Sequence, residues 1–337
     1  MTSVPRRTTV PAERRAVVTG AAGFIGSHLC EALLQEGWLV TGIDHLRGHP
    51  ADVAAHNLET LRPDPRFLLV RADLATAELD SLLDGADTVF HLAARPGVRS
   101  SWGEEFSEYV DSNVLGAHRL LDAAGRAGVR RVVVSSSSSV YGGAEDGATP
   151  ETRLPTPLSP YGATKLLTEH LGLAHASRPG ARTSVVALRY FTVYGPRQRT
   201  DMAIARMIDS ALTGSPITVY GDGLQRRDFT FVSDAVRANL LAAQAETQAA
   251  AVNVGTGRTV TVLELIDLVG EIVGRPVVYE HSAARDGDAR STHADLTAAV
   301  KLLGYQPLVD LRTGIERQVA WRRSLAADIR EPQPVGG

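Results

Sequence analysis

The chain has 337 residues, of which 44% are hydrophobic and 22% are charged, and its formal net charge is −3. This length and composition indicate a soluble globular protein with one large two-lobed domain or two modest ones. The near-neutral charge, without a long run of Lys and Arg, argues against a nucleic-acid-binding protein. No apolar stretch reaches the roughly 18–20 residues that span a bilayer, so we expect no membrane segment.

Short apolar strands alternate with helical patterns along the first half of the chain. In chain order, the patterns predict a strand at 16–19, a helix at 24–35, strands at 38–44, 67–70 and 88–92, a helix at 113–127, a strand at 131–135, a helix at 161–175 and a strand at 184–188. Strands that are apolar throughout and alternate with helices are typical of a parallel sheet covered on both faces. The predicted fold class is therefore α/β, with a doubly wound parallel sheet.

The strand–helix alternation loosens after Gly195, which indicates a smaller α/β lobe that binds the substrate. We assign residues 15–189 and about 228–257 to the sheet domain, and residues 190–227 and 258–325 to the smaller lobe. Residues 1–14 and 328–337, rich in Pro and polar residues, are predicted to be flexible tails.

The single cysteine, Cys30, excludes an internal disulfide and a multi-cysteine metal site, as is usual in a reducing cytoplasm. It lies in the first predicted helix, where we expect it to be buried. Near the N-terminus, Pro5, Pro11 and Glu13 stand where a signal peptide needs its apolar stretch. We therefore expect a cytoplasmic protein.

A glycine-rich turn, Gly20-xx-Gly23-xx-Gly26, joins the first strand to the first helix. Gly20 permits the sharp turn, Gly23 lets the backbone approach a pyrophosphate, and Gly26 lets the helix pack close to the sheet. The helix N-terminus adds free N–H groups and a partial positive charge. A tight turn without a ligand is the alternative, but the strand–turn–helix context favours a dinucleotide.

The residues after the second and third strands indicate which dinucleotide binds. Asp44 ends the second strand, where a carboxylate accepts from the adenosine ribose hydroxyls and repels a 2′-phosphate. This favours NAD over NADP, although Arg47 lies nearby. Asp73 and Leu74 would flank the adenine, but the sequence is equally compatible with Asp73 as a helix cap.

A candidate catalytic pair opens the helix at 161–175, where Ser159 and Pro160 are suitable capping and first-turn residues. Tyr161 and Lys165 share one face of this helix. A phenol has a pKa of about 10, and a nearby ammonium stabilises its phenolate, so that the pair can deprotonate an alcohol. An ordinary surface pair is the alternative. Five serines at 135–139, at the ligand-binding edge of the predicted sheet, favour the catalytic interpretation.

Together with His91-Leu92-Ala93-Ala94, Val140-Tyr141-Gly142 and the segment 189–196, these motifs resemble the extended short-chain dehydrogenase/reductase family of nucleotide-sugar enzymes over about residues 15–325. The resemblance implies a Rossmann fold, with Tyr161 as the base, Lys165 as its electrostatic partner and ribose ligand, and Ser137 bonded to the reacting sugar oxygen. The expected NAD contacts are Gly20, Gly23, Phe24, Ile25, Gly26, Asp44, Asp73, Leu74, Leu92, Ala93, Ala94, Ser135, Tyr161, Lys165 and Tyr190.

The resemblance also implies a UDP-sugar site. Arg227 and Arg285 would hold the diphosphate, and Asp288 the uridine ribose. The other expected substrate contacts are Ser137, Ser138, Ser139, Thr192, Arg199 and Tyr220.

The family resemblance limits the reaction. The 4,6-dehydratases of this family carry an Asp-Glu pair where this chain has Ser138-Ser139. Its UDP-glucuronate decarboxylases carry Glu at the position of Ser139. Serine cannot perform that acid–base work near neutral pH. We therefore expect 4-epimerisation of a UDP-sugar, by removal and return of hydride at carbon 4.

Thr192 and Arg199 indicate the sugar, because they resemble the residues with which UDP-glucuronate 4-epimerases bind the sugar carboxylate. A guanidinium grips a carboxylate with two parallel hydrogen bonds. We expect conversion of UDP-glucuronate to UDP-galacturonate, although Arg199 could instead be a solvated loop residue. The alternatives are a UDP-glucose or UDP-N-acetylglucosamine 4-epimerase and a non-catalytic NAD-binding sensor, which would not need Tyr161.

Two further expectations concern partners. The helices at 113–127 and from 161 resemble those that pair two subunits of this family in a four-helix bundle, so we expect a homodimer. No metal spacing supported by nearby acids is visible at His28, His91, His118 and His170. We expect these histidines to be packing or surface residues, and we expect no metal.

Overall fold

The computed structural model describes residues 13–47, 50–143, 147–284 and 289–328. Its strands are β1 (Arg15–Thr19), β2 (Leu39–Asp44), β3 (Phe67–Arg71), β4 (Thr88–His91), β5 (Arg131–Ser137), β6 (Ser184–Tyr190), β7 (Thr192–Tyr194), β8 (Ile217–Tyr220), β9 (Arg226–Arg227), β10 (Phe229–Phe231), β11 (Ala249–Val254), β12 (Val260–Thr261), β13 (Tyr279–Ser282) and β14 (Ser291–Thr292).

The α-helices are α1 (Phe24–Gln35), α2 (Ala51–Leu58), α3 (Asp80–Leu83), α4 (Phe106–Tyr109), α5 (Gly116–Ala127), α6 (Pro160–Ala176), α7 (Ala203–Thr213), α8 (Val232–Gln244), α9 (Val262–Val273), α10 (Thr297–Leu303) and α11 (Leu311–Asp328). None of these helices combines the length and the apolar content needed to cross a lipid bilayer. Most of the two predicted tails lies outside the described residues.

The largest sheet has seven parallel strands in the order β11-β6-β5-β4-β1-β2-β3. Successive residues of β5 point to opposite faces: Val133 joins the cluster that contains Leu29 of α1, whereas Val132 and Val134 join the cluster that contains Leu120 of α5. The sheet is therefore covered by helices on both faces. This confirms the predicted doubly wound α/β fold.

Three small sheets lie outside the main one and pair β10 with β7, β12 with β9 and β14, and β13 with β8. Most of their strands fall in the segments assigned to the smaller lobe, but β10 belongs to the segment assigned to the sheet domain and pairs with β7. The division into two lobes stays a prediction.

The helix before β5 begins earlier than predicted. It starts with α4 at Phe106, passes through a π-helical segment at Val110–Leu115, and continues as α5 to Ala127. A π-helical turn contains an extra residue, which shifts the 3.6-residue period of apolar positions on which the prediction relied. The predicted start at Asn113 is wrong for this reason.

Candidate active site

The glycine-rich turn between β1 and α1 is shaped so that side chains do not fit. Gly20 has φ +72°, and a Cβ there would lie 2.8 Å from the nitrogen of Ala93. A Cβ on Gly26 would lie 2.0 Å from the carbonyl oxygen of Gly20. Gly23 occupies the N-cap position, and no side chain caps this end of α1. The first N–H groups of the helix can therefore receive an anion.

Asp44 lies directly beneath this turn and is almost fully buried. Its Oδ2 accepts from the backbone N–H of Ala22 at 3.0 Å, and its Oδ1 accepts from that of Leu46 at 2.8 Å. An acidic side chain at the end of β2, beside an uncapped helix N-terminus, fits the ribose and pyrophosphate of a dinucleotide. The residues of this edge therefore suit NAD.

The segment after β4 adjoins the same turn. The backbone N–H of Ala93 donates to Oγ1 of Thr19 at 3.1 Å, and the same Oγ1 lies 2.9 Å from Nδ1 of His91. Burial and the charge of Lys165 lower the pKa of His91 to about 3. His91 is thus a neutral packing residue, which agrees with the sequence analysis. Leu92 and Ala93 lie directly against Gly20, as a shared cofactor edge requires.

Asp73 and Leu74 follow β3, and the structure shows whether Asp73 caps a helix and where the Leu74 side chain lies. Oδ1 of Asp73 accepts from the N–H of Ala75 at 3.0 Å in a turn, and α3 begins only at Asp80, so Asp73 does not cap a helix. Leu74 is buried in the cluster beneath α5. Their contact with adenine stays a prediction.

The candidate catalytic pair lies at the start of α6. Oγ of Ser159 accepts from the N–H of Gly162 at 3.1 Å, and Pro160 occupies the first turn, as predicted. Tyr161 and Lys165 follow one helical turn apart, and Lys165 is buried. Capping therefore sets where α6 begins and which residues face the end of β5.

Ser137 ends β5 and meets Tyr161. Its Oγ accepts from the backbone N–H of Ser139 at 3.1 Å, and its hydroxyl is near enough to the phenol of Tyr161 to act on the pKa of that phenol. Because the backbone N–H already occupies a lone pair of Ser137, its own proton is available for the phenol oxygen. The structure thus brings together two of the three predicted catalytic groups, which come from separate elements.

The electrostatics of the pair differ from the sequence-based expectation. Burial raises the pKa of Tyr161, while the nearby Ser137 hydroxyl and the positive charge of Arg199 act in the opposite direction. Burial also lowers the pKa of Lys165 to about 8. The expectation that Lys165 lowers the pKa of the phenol is therefore not met in this structure, because desolvation of a buried phenolate outweighs the favourable charges.

Two residues that the sequence analysis did not select shape this cluster. The ring of Tyr109 packs edge-on against that of Tyr161, with 6.4 Å between centroids. Nδ2 of Asn113 donates to Oγ1 of Thr164 at 3.0 Å and to the carbonyl of Arg95 at 3.1 Å. Both residues border or lie in the π-helical segment, a feature that often marks functional sites. The only sequence signal was an Asn, a weak helix former, inside an apolar helix pattern.

A buried ion pair joins α6 to the carboxyl ends of β5 and β6. Arg189 donates from Nε to Oε2 of Glu169 at 2.9 Å and from Nη2 to Oε1 at 2.6 Å. Oε2 of Glu169 also accepts from Oγ of Ser136 at 2.7 Å, and Nη1 of Arg189 donates to the Tyr141 hydroxyl at 2.7 Å. Glu169 follows Lys165 by one helical turn, so the spacing of Tyr161, Lys165 and Glu169 was a signal in the sequence. We infer that this pair holds Ser137 in register with α6.

The predicted substrate residues lie on several elements. Ser138 and Ser139 begin a short 3₁₀ helix directly after Ser137. Thr192 begins β7, Tyr220 ends β8 and Arg227 ends β9. Arg285 and Asp288 lie outside the described residues.

Two contacts add to these placements. The Arg99 guanidinium, which the sequence analysis did not select, stacks 4.9 Å from the ring centre of Tyr220. The Tyr190 hydroxyl is bonded to the Asn239 amide in the core, at 3.0 Å from Oδ1 and 2.8 Å from Nδ2. Contacts of Tyr190 and Ser135 with NAD stay predictions.

Arg199 lies close enough to the catalytic cluster for its charge to act on the Tyr161 phenol. Its side chain is half-buried. A fully solvated loop arginine, the alternative left open by the sequence, does not describe this position. The guanidinium is therefore available to a negative group that binds beside Tyr161.

The histidine argument from sequence was wrong in one respect. Nε2 of His118 lies 3.4 Å from Asp122, and Nε2 of His175 lies 3.5 Å from the same carboxylate, so acids and a second histidine are nearby. Nη2 of Arg178 lies 2.8 Å from Nδ1 of His175. Since a guanidinium only donates, Nδ1 accepts and Nε2 carries the proton towards Asp122. We therefore interpret this cluster as hydrogen-bonded side chains.

Comparison with known proteins gives concordant matches. A model described as the NAD-dependent epimerase/dehydratase family matches residues 16–255. An uncharacterized UDP-glucose epimerase of Bacillus subtilis is 42% identical, over 92% of this chain and 98% of that protein. MoeE5, solved with NAD and either UDP-glucuronic acid or UDP-glucose, is 48% identical over 92% of this chain and 99% of its own, with TM-scores of 0.84 and 0.83. The UDP-glucuronic acid 4-epimerase of Bacillus cereus, solved with UDP-glucuronic acid and NAD, is 41% identical with the same coverage and a TM-score of 0.87.

Proposed function

The chain belongs to the NAD-dependent epimerase/dehydratase family, and from this premise we propose that it interconverts UDP-glucuronate and UDP-galacturonate by inverting carbon 4. It is an enzyme, its cofactor is NAD, and its relatives support 4-epimerisation of UDP-sugars as the reaction. The choice of glucuronate is the proposal. The turn at Gly20–Gly26 and Asp44 would hold NAD, which would supply the acceptor and donor of the carbon 4 hydride.

The residues around Tyr161 are suited to move the proton of the 4-hydroxyl. Tyr161 takes that proton as carbon 4 is oxidised and gives it back as carbon 4 is reduced. Ser137 can donate a hydrogen bond to the reacting oxygen, since its own lone pair is engaged by the backbone N–H of Ser139. Lys165 is buried one helical turn away, on the same face of α6 as Tyr161.

The serines after Ser137 limit the chemistry open to the oxidised sugar. Ser138 and Ser139 carry no group that can protonate a departing 6-hydroxyl or remove the proton at carbon 5 near neutral pH. These residues therefore do not support dehydration of the 4-keto sugar, and return of the hydride is the productive path. If the sugar turns over in the site before the return, hydride reaches the opposite face and carbon 4 is inverted.

One observation carries the choice of sugar: the half-buried Arg199 guanidinium is close enough to the Tyr161 phenol for its positive charge to lower the pKa of that phenol. A sugar whose carbon 4 is at Tyr161 has its carbon 6 close by, since only carbon 5 separates the two. A carboxylate at carbon 6 gives this cation a second anionic partner besides Asp201, whereas the hydroxymethyl group of UDP-glucose does not. Thr192, seven residues before Arg199, offers a hydroxyl at the start of β7.

The direct test is incubation of the purified protein with UDP-glucuronate, UDP-glucose and UDP-N-acetylglucosamine in parallel. We expect UDP-galacturonate to form, identified by the sugar proton couplings in NMR, at a higher kcat/KM than for either neutral sugar. Because hydride returns in each cycle, we also expect NAD to be released when the purified protein is denatured. A preference for a neutral sugar would replace the glucuronate assignment, and NAD binding without any turnover would favour the sensor.

Replacing Arg199 with Ala is expected to weaken the use of UDP-glucuronate by about 1.5–3 kcal/mol, the scale of a hydrogen bond to a charged group. Oxidation at carbon 4 makes the glucuronate a β-keto acid. Such an acid loses CO₂ when its carboxylate–carbon bond stands perpendicular to the ketone plane, because the electrons of that bond then pass into the carbonyl π system. In the proposed site, Arg199 holds this bond near the ketone plane and so prevents the loss of CO₂. Without Arg199, we expect a larger share of 4-keto pentose product, measured by chromatography and NMR.

The control for this prediction is Arg62→Ala, which removes one positive charge from an exposed position outside the site. Activity of Arg199→Ala on UDP-glucose should change far less than its activity on UDP-glucuronate. Equal losses on both sugars, without pentose product, would show that Arg199 has a structural role and would remove the main support for glucuronate.

A further inference from the structure

Arg199 is held by a second residue of its own loop. Its Nε donates to Oδ1 of Asp201 at 2.9 Å and its Nη2 donates to Oδ2 at 2.6 Å. The two parallel bonds lower the pKa of Asp201 and raise that of Arg199. Asp201 itself is mostly exposed, with a side-chain accessibility of 65% against 31% for Arg199. Asp201 therefore lies on the solvent side of the pair, and Arg199 lies on the inner side.

A guanidinium has two edges that can each grip a carboxylate, Nε with Nη2 and Nη1 with Nη2. Asp201 occupies the first edge. Nη1 makes no hydrogen bond to any residue that the structure describes, so the second edge is open. The charge of Arg199 nevertheless acts on the phenols of Tyr161 and Tyr109. The guanidinium can thus keep Asp201 and bind a second carboxylate beside the catalytic cluster.

The backbone that carries this pair is anchored to α1. Nε2 of His28 lies 3.0 Å from the carbonyl oxygen of Pro196, and Nη2 of Arg197 donates to Oε1 of Glu31 at 2.7 Å. Arg197 has φ +65°, a left-handed conformation that is costly for a residue other than Gly and needs such contacts to persist. The backbone N–H of Met202 donates to the carbonyl of Arg199 at 3.2 Å, which closes the turn around Asp201. These contacts fix the backbone that carries Arg199, but they do not fix its long side chain.

We propose that Asp201 is a positioning residue that fixes the Arg199 guanidinium through one edge, so that the other edge grips the sugar carboxylate and holds it in the ketone plane. This inference rests on the proposed use of UDP-glucuronate. An arginine side chain loses up to about 2 kcal/mol of rotamer entropy when it is ordered. Because Asp201 orders the Arg199 side chain in the free enzyme, this entropy is not lost again when the substrate binds. The opposite arrangement, in which Asp201 blocks the carboxylate site and must leave, predicts an effect of opposite sign.

The test compares Asp201→Asn with the wild-type holoenzyme on UDP-glucuronate and UDP-glucose. Asn keeps the size of Asp but loses the charge and one acceptor, so the two-bond contact is broken. We expect KM for UDP-glucuronate to rise about tenfold, the scale of one charged hydrogen bond. The share of 4-keto pentose should rise as well, while kcat/KM for UDP-glucose should change far less, since that sugar has no carboxylate. Asp201→Glu, which restores the carboxylate, should recover part of the loss.

The chain offers a matched control. Arg66 donates to Asp64 through the same two nitrogens, at 3.0 Å and 2.7 Å, again two residues apart but outside the site. Asp64→Asn should therefore leave both KM and the product distribution unchanged. A lower KM of Asp201→Asn for UDP-glucuronate would show that Asp201 blocks the site, and equal losses on both sugars would show a structural role.

Two further outcomes separate this inference from the proposed function. If wild type converts UDP-glucuronate and Asp201→Asn behaves like wild type, the positioning role is wrong and the proposed function stands. If wild type does not convert UDP-glucuronate, the proposed function fails and the positioning role fails with it.

Discussion

Replacing Tyr161 with Phe is expected to reduce turnover at least about 10²-fold, the usual contribution of a positioned acid–base group. The ring of the phenol packs against that of Tyr109, and the Ser137 hydroxyl and the Arg199 charge both act to lower its pKa. Phe keeps the ring and its edge-on packing with Tyr109 but removes the group that takes the proton of the 4-hydroxyl. The measurement is the rate of carbon 4 inversion at saturating UDP-sugar, with cofactor content and circular dichroism recorded for each variant.

Tyr305→Phe is the matched control, because it also removes a buried phenol hydroxyl, one bonded to the carbonyl of Gly255 at 3.0 Å. This control should retain most of the activity, since Tyr305 lies outside the cluster around Ser137. Near-full activity of Tyr161→Phe, with a normal amount of NAD bound, would place the base elsewhere and contradict the proposed proton transfer.

Replacing Glu169 with Ala is expected to lower the free energy of unfolding by about 3–5 kcal/mol, the scale of breaking a buried ion pair from one side. Glu169 and Arg189 are both buried, and their contact includes two hydrogen bonds at 2.9 Å and 2.6 Å. Burial alone lowers the pKa of Arg189, but the hydrogen bonds and charge of Glu169 raise it overall. The variant thus leaves a charged guanidinium buried without its anion. Urea unfolding at equal NAD concentration measures the change.

Two variants control for this effect. Asp80→Ala removes one member of the exposed Arg126–Asp80 pair and should shift the unfolding midpoint far less. A double variant, Glu169→Met with Arg189→Met, should recover part of the lost stability, because it removes the isolated charge. A single Glu169→Ala variant as stable as wild type would show that the network does not hold α6 against the sheet.

The parts of the fold that could be predicted are those with a local repeat. The apolar strands and the helix at Phe24–Gln35 were found with their bounds or nearly so, because burial on both faces leaves a continuous apolar run and a one-sided helix leaves a 3.6-residue period. The π-helical turn at Val110–Leu115 was missed because an extra residue breaks that period.

Local spacing also identified the core of the candidate site. Gly20 and Gly26 are required by one turn, and Tyr161 and Lys165 share one helix face, so each set is visible within a few residues. The pKa of Tyr161 was predicted with the wrong direction for this structure, because the degree of burial of a phenol depends on elements far along the chain.

By itself, the sequence therefore determined the doubly wound α/β fold and NAD as the cofactor, and it predicted Tyr161, Lys165 and Ser137 as the catalytic side chains. Only the tertiary structure decided which side chains of different elements meet. These are the ion pair of Glu169 with Arg189, the hydrogen bond of Asn113 to Thr164, and the approach of Arg199 to Tyr161. The physical reason is that periodicity records which face of one element is buried. A contact between side chains of two elements depends on how those elements pack, and it leaves no repeat in either segment.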